Sequence, residues 1–118
     1  MRPVIHTFLY DDNGDRFFGE GPYRLLLGVG QTGSLRQAAA QMGMAYTKAL
    51  AILRRAESVL GYPLIERQTG GRGGGGSCLT DNAKELITRY ARYKKECNEA
   101  AQRIFEECFP DDPSEHAL

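Results

Sequence analysis

The chain has 118 residues, 42% of them hydrophobic, which is enough for one domain with a modest core and too little for two independent ones. Its 15 Lys and Arg residues balance 15 Asp and Glu residues, so the formal net charge is zero, which argues against a protein that coats nucleic acid indiscriminately. The three cysteines form no C-x-x-C pair, so a disulfide framework and a zinc site are not expected. No apolar run approaches the ~20 residues that span a bilayer. We therefore expect a soluble, cytoplasmic protein with reduced thiols, no membrane partner, and no resident metal or cofactor.

The N-terminal part is predicted to form a β-hairpin followed by a helix. Residues 4–10 are rich in β-branched and aromatic side chains, residues 11–15 form a turn cluster, and residues 16–18 can return as the partner strand. Pro22 suits the first turn of a helix, which predicts a helix over about residues 22–31.

Two further helices are predicted close together. Ser34 and Gln37 have the spacing of a capping box, so the second helix starts at Ser34 and is ended by Gly43. The third helix runs from Tyr46 to Leu60, because apolar residues recur there every three or four positions. Its opposite, polar and basic face consists of Thr47, Lys48, Ala51, Arg55 and Ser58, with Arg54 at its edge.

A glycine-rich loop, residues 69–76, joins two predicted strands near residues 64–67 and 77–79. A phosphate-binding loop is one interpretation, but the Lys-Ser/Thr pair of a P-loop does not follow the glycines. A flexible linker is a second, but it would expose the flanking apolar residues without reason. The favoured interpretation is a wing, a β-hairpin beside a DNA-reading helix, whose Arg72 and neighbouring Gly73 reach the minor groove or the backbone.

A long final helix is predicted over residues 81–108, with Thr80 as its cap, and it would extend about 42 Å at about 1.5 Å per residue. Its apolar residues follow near-heptad spacing, and the globular part is too small to cover all of them. For the apolar residues from Ala83 to Tyr90, the favoured interpretation is packing within the domain. For those from Cys97 onward, it is packing against a second chain. The candidate residues of a homodimer interface are Leu86, Tyr90, Cys97, Ala101, Ile104 and Cys108.

Two short helices joined by a glycine turn, with a basic outer face on the second, are typical of a helix-turn-helix. The alternative is an ordinary helical hairpin with a solvated face. In the first interpretation Tyr46 and Thr47 meet base edges, while Ser34 and Gln37 place the supporting helix against the DNA backbone. The candidate phosphate contacts are Lys48, Arg54, Arg55 and Arg72.

Three segments carry a family resemblance: residues 32–39 (TGSLRQAA), 43–50 (GMAYTKAL) and 69–80 (TGGRGGGGSCLT). They resemble the N-terminal DNA-binding domain of ModE-type molybdate-responsive regulators, while LysR-type regulators share the broader plan, typically without this wing. The resemblance implies a third helix in the major groove, a wing on the backbone, and a final helix that pairs with a second chain. The family often has Ser and Trp where this chain has Ala45 and Leu50, so base preference is not carried over.

The sequence therefore predicts an α+β, mainly α, winged helix-turn-helix fold. The predicted divisions are a DNA-binding domain over residues 1–80, a long dimerisation helix over 81–109 and a flexible acidic tail over 110–118. The family binds molybdate through separate C-terminal domains. Sensing is therefore expected to be missing, lost or supplied by a separate molybdate-sensing polypeptide.

The expected function is that of a sequence-specific transcriptional regulator that binds double-stranded DNA at a two-fold operator as a homodimer. The resemblance links it to molybdenum or molybdate metabolism. The alternative is a winged-helix interaction module that pairs with a separate regulator or sensor and has little DNA binding of its own. An enzyme is not expected, because no His/Cys/Asp arrangement at catalytic spacing appears.

Overall fold

Short β-hairpins alternate with helices in residues 1–68 and 76–110, the parts of the chain that the computed structural model describes. The predicted α+β, mainly α, winged arrangement is confirmed, and so are the predicted bounds of the third and fourth helices. The predicted contacts of Arg72 and Gly73, and the acidic tail from residue 111 onward, lie outside the described residues. The elements in chain order are β1 (Leu9–Tyr10), β2 (Arg16–Phe18), α1 (Glu20–Thr32), α2 (Leu35–Gln41), α3 (Tyr46–Leu60), β3 (Ile65–Gln68), β4 (Gly76–Leu79) and α4 (Asp81–Cys108).

The N-terminal hairpin is shorter than predicted. β1 pairs antiparallel with β2, with Leu9 opposite Phe18 and an irregular register after it. Residues 4–8 are not a strand. The Thr7 carbonyl, which a longer hairpin would turn to a partner strand, instead accepts a hydrogen bond of 2.8 Å from the Tyr90 hydroxyl. This part of the chain is therefore attached to α4.

The first two helices are joined by a glycine turn. α1 begins at Glu20, two residues before the predicted start. Pro22 is tolerated there because it still lies in the first turn, where a backbone N–H has no partner within the helix. Gly33 ends α1 with φ 71°. The Ser34 side chain then accepts from the Gln37 backbone N–H at 3.1 Å, so Ser34 is confirmed as the cap of α2. The second half of the predicted capping box does not form, because the Ser34 N–H donates to the Thr32 hydroxyl at 3.2 Å and not to the Gln37 side chain.

A single apolar core holds the helices together. One face of α3, with Ala49, Leu53 and Ala56 each fully buried, packs into it. Each large apolar side chain that is fully buried stabilises the fold by about 1.5–3 kcal/mol. The largest fully buried side chains are Phe18, Leu25, Leu26, Val29, Leu53 and Leu64.

The second hairpin is attached to the turn between α1 and α2. β3 and β4 are antiparallel, with Ile65 opposite Leu79. The Ser77 N–H donates to the Gly33 carbonyl at 2.8 Å. A Cβ on Gly76 would lie 2.6 Å from the same carbonyl oxygen, so glycine is required for this approach. The end of the glycine loop at Gly76 is thus held beside the N-terminus of α2.

The long helix α4 divides into a packed and an uncovered part. Ala83 and Tyr90 are buried in the domain core, and Leu86 packs against that core from the edge. After Tyr90, no described residue of α4 is buried. No helix within the described parts of the chain has both the length and the apolar composition for crossing a membrane.

The placement of Tyr90 in a dimer interface is corrected. Its side chain is only 3% exposed within a single chain. Its ring centroid lies 5.1 Å from that of Phe18 and 4.9 Å from that of Tyr23. Because these contacts and the bond to Thr7 occupy the side chain, Tyr90 is a core residue and has no surface to offer a partner. The other candidate interface residues are half-buried, as Leu86, Cys97 and Ala101 are, or exposed, as Ile104 and Cys108 are.

Candidate nucleic-acid interface

The outer face of α3 is solvent-exposed as its pattern predicts. Thr47 and Lys48 lie in its first turn and are exposed. Ala45, at the N-cap, makes no side-chain cap hydrogen bond. Ala45 thus leaves the first backbone N–H groups of α3 without a side-chain cap, so they can donate to an outside acceptor, and the helix dipole favours an anion there.

Arg36 and Tyr46 join the N-terminal turns of α2 and α3. The guanidinium carbon of Arg36 lies 4.1 Å from the centroid of the Tyr46 ring, a cation–π contact. Tyr46 is also half-buried and packs against the core, so its predicted role in reading bases has less surface available than that of Thr47. Arg36 is not among the predicted site residues. The local surplus of basic residues is its only signal in the sequence, because its contact with Tyr46 exists only in the folded chain.

Six residues form one continuous surface at this end of the molecule, which we name the α2–α3 surface. Ser34 and Gln37 start α2, the Arg36 contact leads from α2 to α3, and the second hairpin joins at Gly33, directly before Ser34. The Ser34 hydroxyl accepts from Gln37 N–H and can still donate to an outside acceptor. The α2–α3 surface consists of Ser34, Arg36, Gln37, Tyr46, Thr47 and Lys48.

Arg55, a predicted phosphate contact, is paired with the N-terminal hairpin. Its guanidinium lies 3.2 Å from the Asp11 carboxylate and 3.9 Å from that of Asp15. Backbone N–H donors of Asp15 and Asn13, together with Arg55, hold the pKa of the Asp11 carboxyl below its ordinary value. Asp11 therefore stays ionised at neutral pH and opposes the use of Arg55 by another anion.

Arg54, another predicted phosphate contact, also has a carboxylate partner. Its guanidinium donates to Glu57 at 2.7 Å, and the other Glu57 oxygen accepts the Leu64 N–H at 2.7 Å. Glu57 is well shielded, whereas the Arg54 side chain remains 61% exposed. Arg54 thus supports the connection from α3 to the second hairpin while keeping surface for another contact.

Lys48 differs from Arg54 and Arg55, because no carboxylate within residues 1–68 and 76–110 pairs with it. It is also exposed. An ammonium group in this state has no internal ion pair to break when it meets a phosphate. In the same described residues, no three His, Cys, Asp or Glu side chains come together as candidate metal ligands.

The chain is similar in sequence to several known proteins. The molybdenum transport protein ModE of Herbaspirillum seropedicae is 43% identical over 65 residues, which are 55% of this chain and 24% of that protein. The transcriptional regulator ModE of Haemophilus influenzae is 35% identical over 89 residues, 75% of this chain and 35% of that protein. The DNA-binding transcriptional dual regulator ModE of Escherichia coli K12 is 36% identical over 66 residues, 56% of this chain and 25% of that protein.

These matches confirm the resemblance to the ModE winged helix-turn-helix domain. The chain spans about a quarter to a third of the length of these curated relatives. The model of the bacterial regulatory helix-turn-helix proteins, lysR family, matches residues 23–84, from α1 through the second hairpin to the start of α4. Because that match covers more than half of the chain, the protein belongs to the bacterial regulatory helix-turn-helix proteins of the lysR family.

Proposed function

We propose that the chain binds double-stranded DNA through the α2–α3 surface and regulates transcription. The observation that carries the proposal is the exposed first turn of α3, where Thr47 and Lys48, which no described carboxylate pairs with, follow the Tyr46 ring that Arg36 contacts. The major groove of DNA admits one α-helix, whose N-terminal side chains meet base edges while flanking cations meet phosphates.

Each residue of the surface has a role in this proposal. Thr47 contacts base edges, and Tyr46 contributes the exposed part of its ring. Lys48 and Arg36 contact phosphates, and Ser34 and Gln37 donate to the backbone beside α2. The loop from residue 69 to 75, with Arg72 and Gly73, follows β3 and is proposed to contact the adjacent DNA backbone.

The uncovered part of α4 supports self-association. Ile104 is 56% exposed, and Cys97 and Ala101 are half-buried along the same helix. A second copy of the chain would remove these apolar side chains from water, with Cys108 at the end of the interface. Two copies related by a two-fold axis would bind half-sites about 34 Å apart, or a multiple of that distance.

The names of the relatives support a role in molybdenum metabolism. One is a molybdenum transport protein and two are transcriptional regulators, one of them named as DNA-binding. We extend the proposal to regulation of molybdenum-related genes and to a separate molybdate-sensing polypeptide as a partner.

A second candidate function is that of an interaction module with little DNA binding, and it is favoured by the carboxylate partners of Arg54 and Arg55.

The salt dependence of DNA binding tests the proposal. Lys48→Ala is expected to weaken binding to a random-sequence duplex and to flatten the plot of log affinity against log salt, by about 0.9 for each phosphate that is no longer neutralised. Fluorescence anisotropy of a labelled duplex measures both quantities. Lys84→Ala, which removes an exposed cation from α4, is the matched control and should leave the slope unchanged. Absence of salt-dependent binding by the unmodified chain would favour the interaction module.

A second prediction concerns the acidic turn beside α3. Asp11→Asn is expected to raise the affinity for any duplex by about two- to fivefold, the equivalent of one exposed ion pair, because it removes the closer of the two carboxylates that pair with Arg55. The asparagine oxygen can still accept the turn hydrogen bonds from Asn13 and Asp15. Asp12→Asn removes a charge from the same turn without an ion pair to Arg55, so it is the control. Equal gains from both variants would contradict a specific role for the Asp11–Arg55 pair.

A further inference from the structure

A cleft lies between the N-terminal hairpin, the start of α1 and α3. Its volume is about 330 Å³, within the range of small-ligand sites, about 300–1,000 Å³. Gly19 and Gly21 line it without side chains, which keeps it open. Its apolar lining consists of Phe8, Phe17, Phe18, Pro22, Met44 and Ile52.

The hairpin is fixed along one face of α3 and so holds the cleft in shape. Lys48 and Ile52 line the cleft, and Arg55 lies on the same helical face, since the three positions are spaced by four and three residues. The Arg55–Asp11 ion pair joins that face to the hairpin turn. The cleft is therefore part of the folded contact between the hairpin and α3.

The charged groups of the cleft favour an anion. Arg16 lines it with its guanidinium carbon 4.5 Å from the centroid of the Phe8 ring, and Lys48 lines it from α3. No carboxylate in the described parts of the chain pairs with either cation.

Glu20 is the acidic residue of the lining, and it accepts from Lys94 at 2.7 Å and from Arg24 at 3.2 Å. The hydrogen bond from Lys94, with smaller contributions from Arg24, holds the pKa of Glu20 below its ordinary value. Its charge is thus already balanced.

We infer that this cleft binds a small organic anion with a ring-sized apolar body, of the aromatic carboxylate class, and that its occupancy opposes DNA binding. The rings of Phe8 and Phe17, which are not fully buried, would contact the apolar body, while Arg16 and Lys48 would bind the carboxylate. Lys48 belongs to both the cleft and the α2–α3 surface. A carboxylate that holds Lys48 competes with a phosphate, and by linkage each ligand weakens the other. The regulatory part of this inference rests on the proposed DNA binding, and the binding of the anion does not.

Titration of the full chain with indole-3-acetate tests the binding. Amide chemical shifts in a ¹⁵N-labelled sample are expected to change at residues 16–22 and at Lys48 and Ile52, which line the cleft. Indole-3-acetamide has the same ring without the charge, and its affinity is expected to be lower by about tenfold, the equivalent of one charge-assisted hydrogen bond. Shift changes confined to the exposed part of α4, or equal affinity for the amide, would overturn the inference.

A variant that fills the cleft separates it from other binding surfaces. A Cβ on Gly21 meets nothing within 4 Å, so Gly21→Leu can place its side chain in the open space without disturbing the backbone. It is expected to abolish the shift changes while the remaining spectrum is retained. Thr88→Leu adds the same side chain to the exposed face of α4 and should bind as the unmodified chain does. Binding that survives Gly21→Leu would place the ligand elsewhere.

The regulatory part has its own measurement. Saturating indole-3-acetate is expected to lower the affinity of the unmodified chain for a random-sequence duplex by about three- to tenfold, a coupling of about 1 kcal/mol, and to leave that of Gly21→Leu unchanged. A ligand that binds in the cleft without changing DNA affinity would overturn the regulatory part. A chain that binds no duplex at any salt would overturn the proposed function and the regulatory part together, while the chemical shifts would still decide whether the cleft binds the anion.

Discussion

Replacement of Tyr90 by alanine is expected to lower the free energy of unfolding by about 3–5 kcal/mol, the usual loss for a buried aromatic residue. The side chain is 3% exposed and is enclosed by the rings of Phe18 and Tyr23. Its hydroxyl also donates to the Thr7 carbonyl at 2.8 Å. The substitution would leave a cavity in the core and release the N-terminal segment from α4, so a large part of the stability of a small domain would be lost.

Urea unfolding at two well-separated protein concentrations measures the effect and its origin. Because Tyr90 packs within its own chain, the loss is expected to be the same at both concentrations. Tyr90→Phe keeps the ring and removes two hydrogen bonds with Thr7, one to its carbonyl and one with its hydroxyl, which should cost about 1–3 kcal/mol. Ile104→Ala, on the uncovered part of α4, should instead weaken self-association with little change in the unfolding of one chain. A Tyr90→Ala loss that grew on dilution would contradict the assignment of this residue to the core.

Replacement of Gly28 by valine is expected to lower the free energy of unfolding by about 2–3 kcal/mol and to weaken DNA binding, since overpacking forces the backbone to shift. A Cβ at Gly28 would lie 2.7 Å from the Cβ of Ala38 and 3.2 Å from its Cα. Neither atom of Ala38 can avoid the added Cβ by a side-chain rotation, so α2 would have to move away from α1. The same movement would displace Arg36 from Tyr46 and alter the α2–α3 surface.

Gly21→Ala is the matched control for this prediction. It changes a glycine in the same helix, where the added Cβ meets nothing within 4 Å, and it should stabilise the helix by about 0.5–1 kcal/mol. Urea unfolding followed by circular dichroism measures stability, and duplex anisotropy measures the effect on binding. If Gly28→Val unfolded at the same urea concentration as the unmodified chain, the close approach of α1 and α2 would not be required.

Local sequence patterns were sufficient for most of the helices. The bounds of α3 and α4 follow from apolar residues repeating every three or four positions, and the caps at Ser34 and Thr80 mark the starts of α2 and α4. The predicted strands of the hairpin that follows α3 agree with the structure to within one residue at each end, because glycine and short apolar runs mark them. Each of these signals lies within a few residues of the structure that it specifies, so no knowledge of the fold is needed to interpret it.

The partners of the charged residues were not predictable in this way. The apolar periodicity predicts that Arg55 lies on the outer face of α3, where it is exposed. It does not predict the ion pair with Asp11, which is 44 positions away in the chain. The contact of Arg36 with the Tyr46 ring has no sequence signal either. A free cation and a paired one look the same in a sequence, although the second must give up an interaction before it can contact DNA.

The sequence alone determined which segments are helices, which residues of α3 form its exposed basic face, and that the chain carries a wing. The packing of distant segments decided which side chains of that face are free. It assigned Tyr90 to the core through a contact with Thr7, 83 positions away, and it assembled the cleft from the N-terminal hairpin and two helices. The physical reason is that helix periodicity and capping act over one or two turns, whereas burial, ion pairing and cavities depend on which surfaces the folded chain brings together.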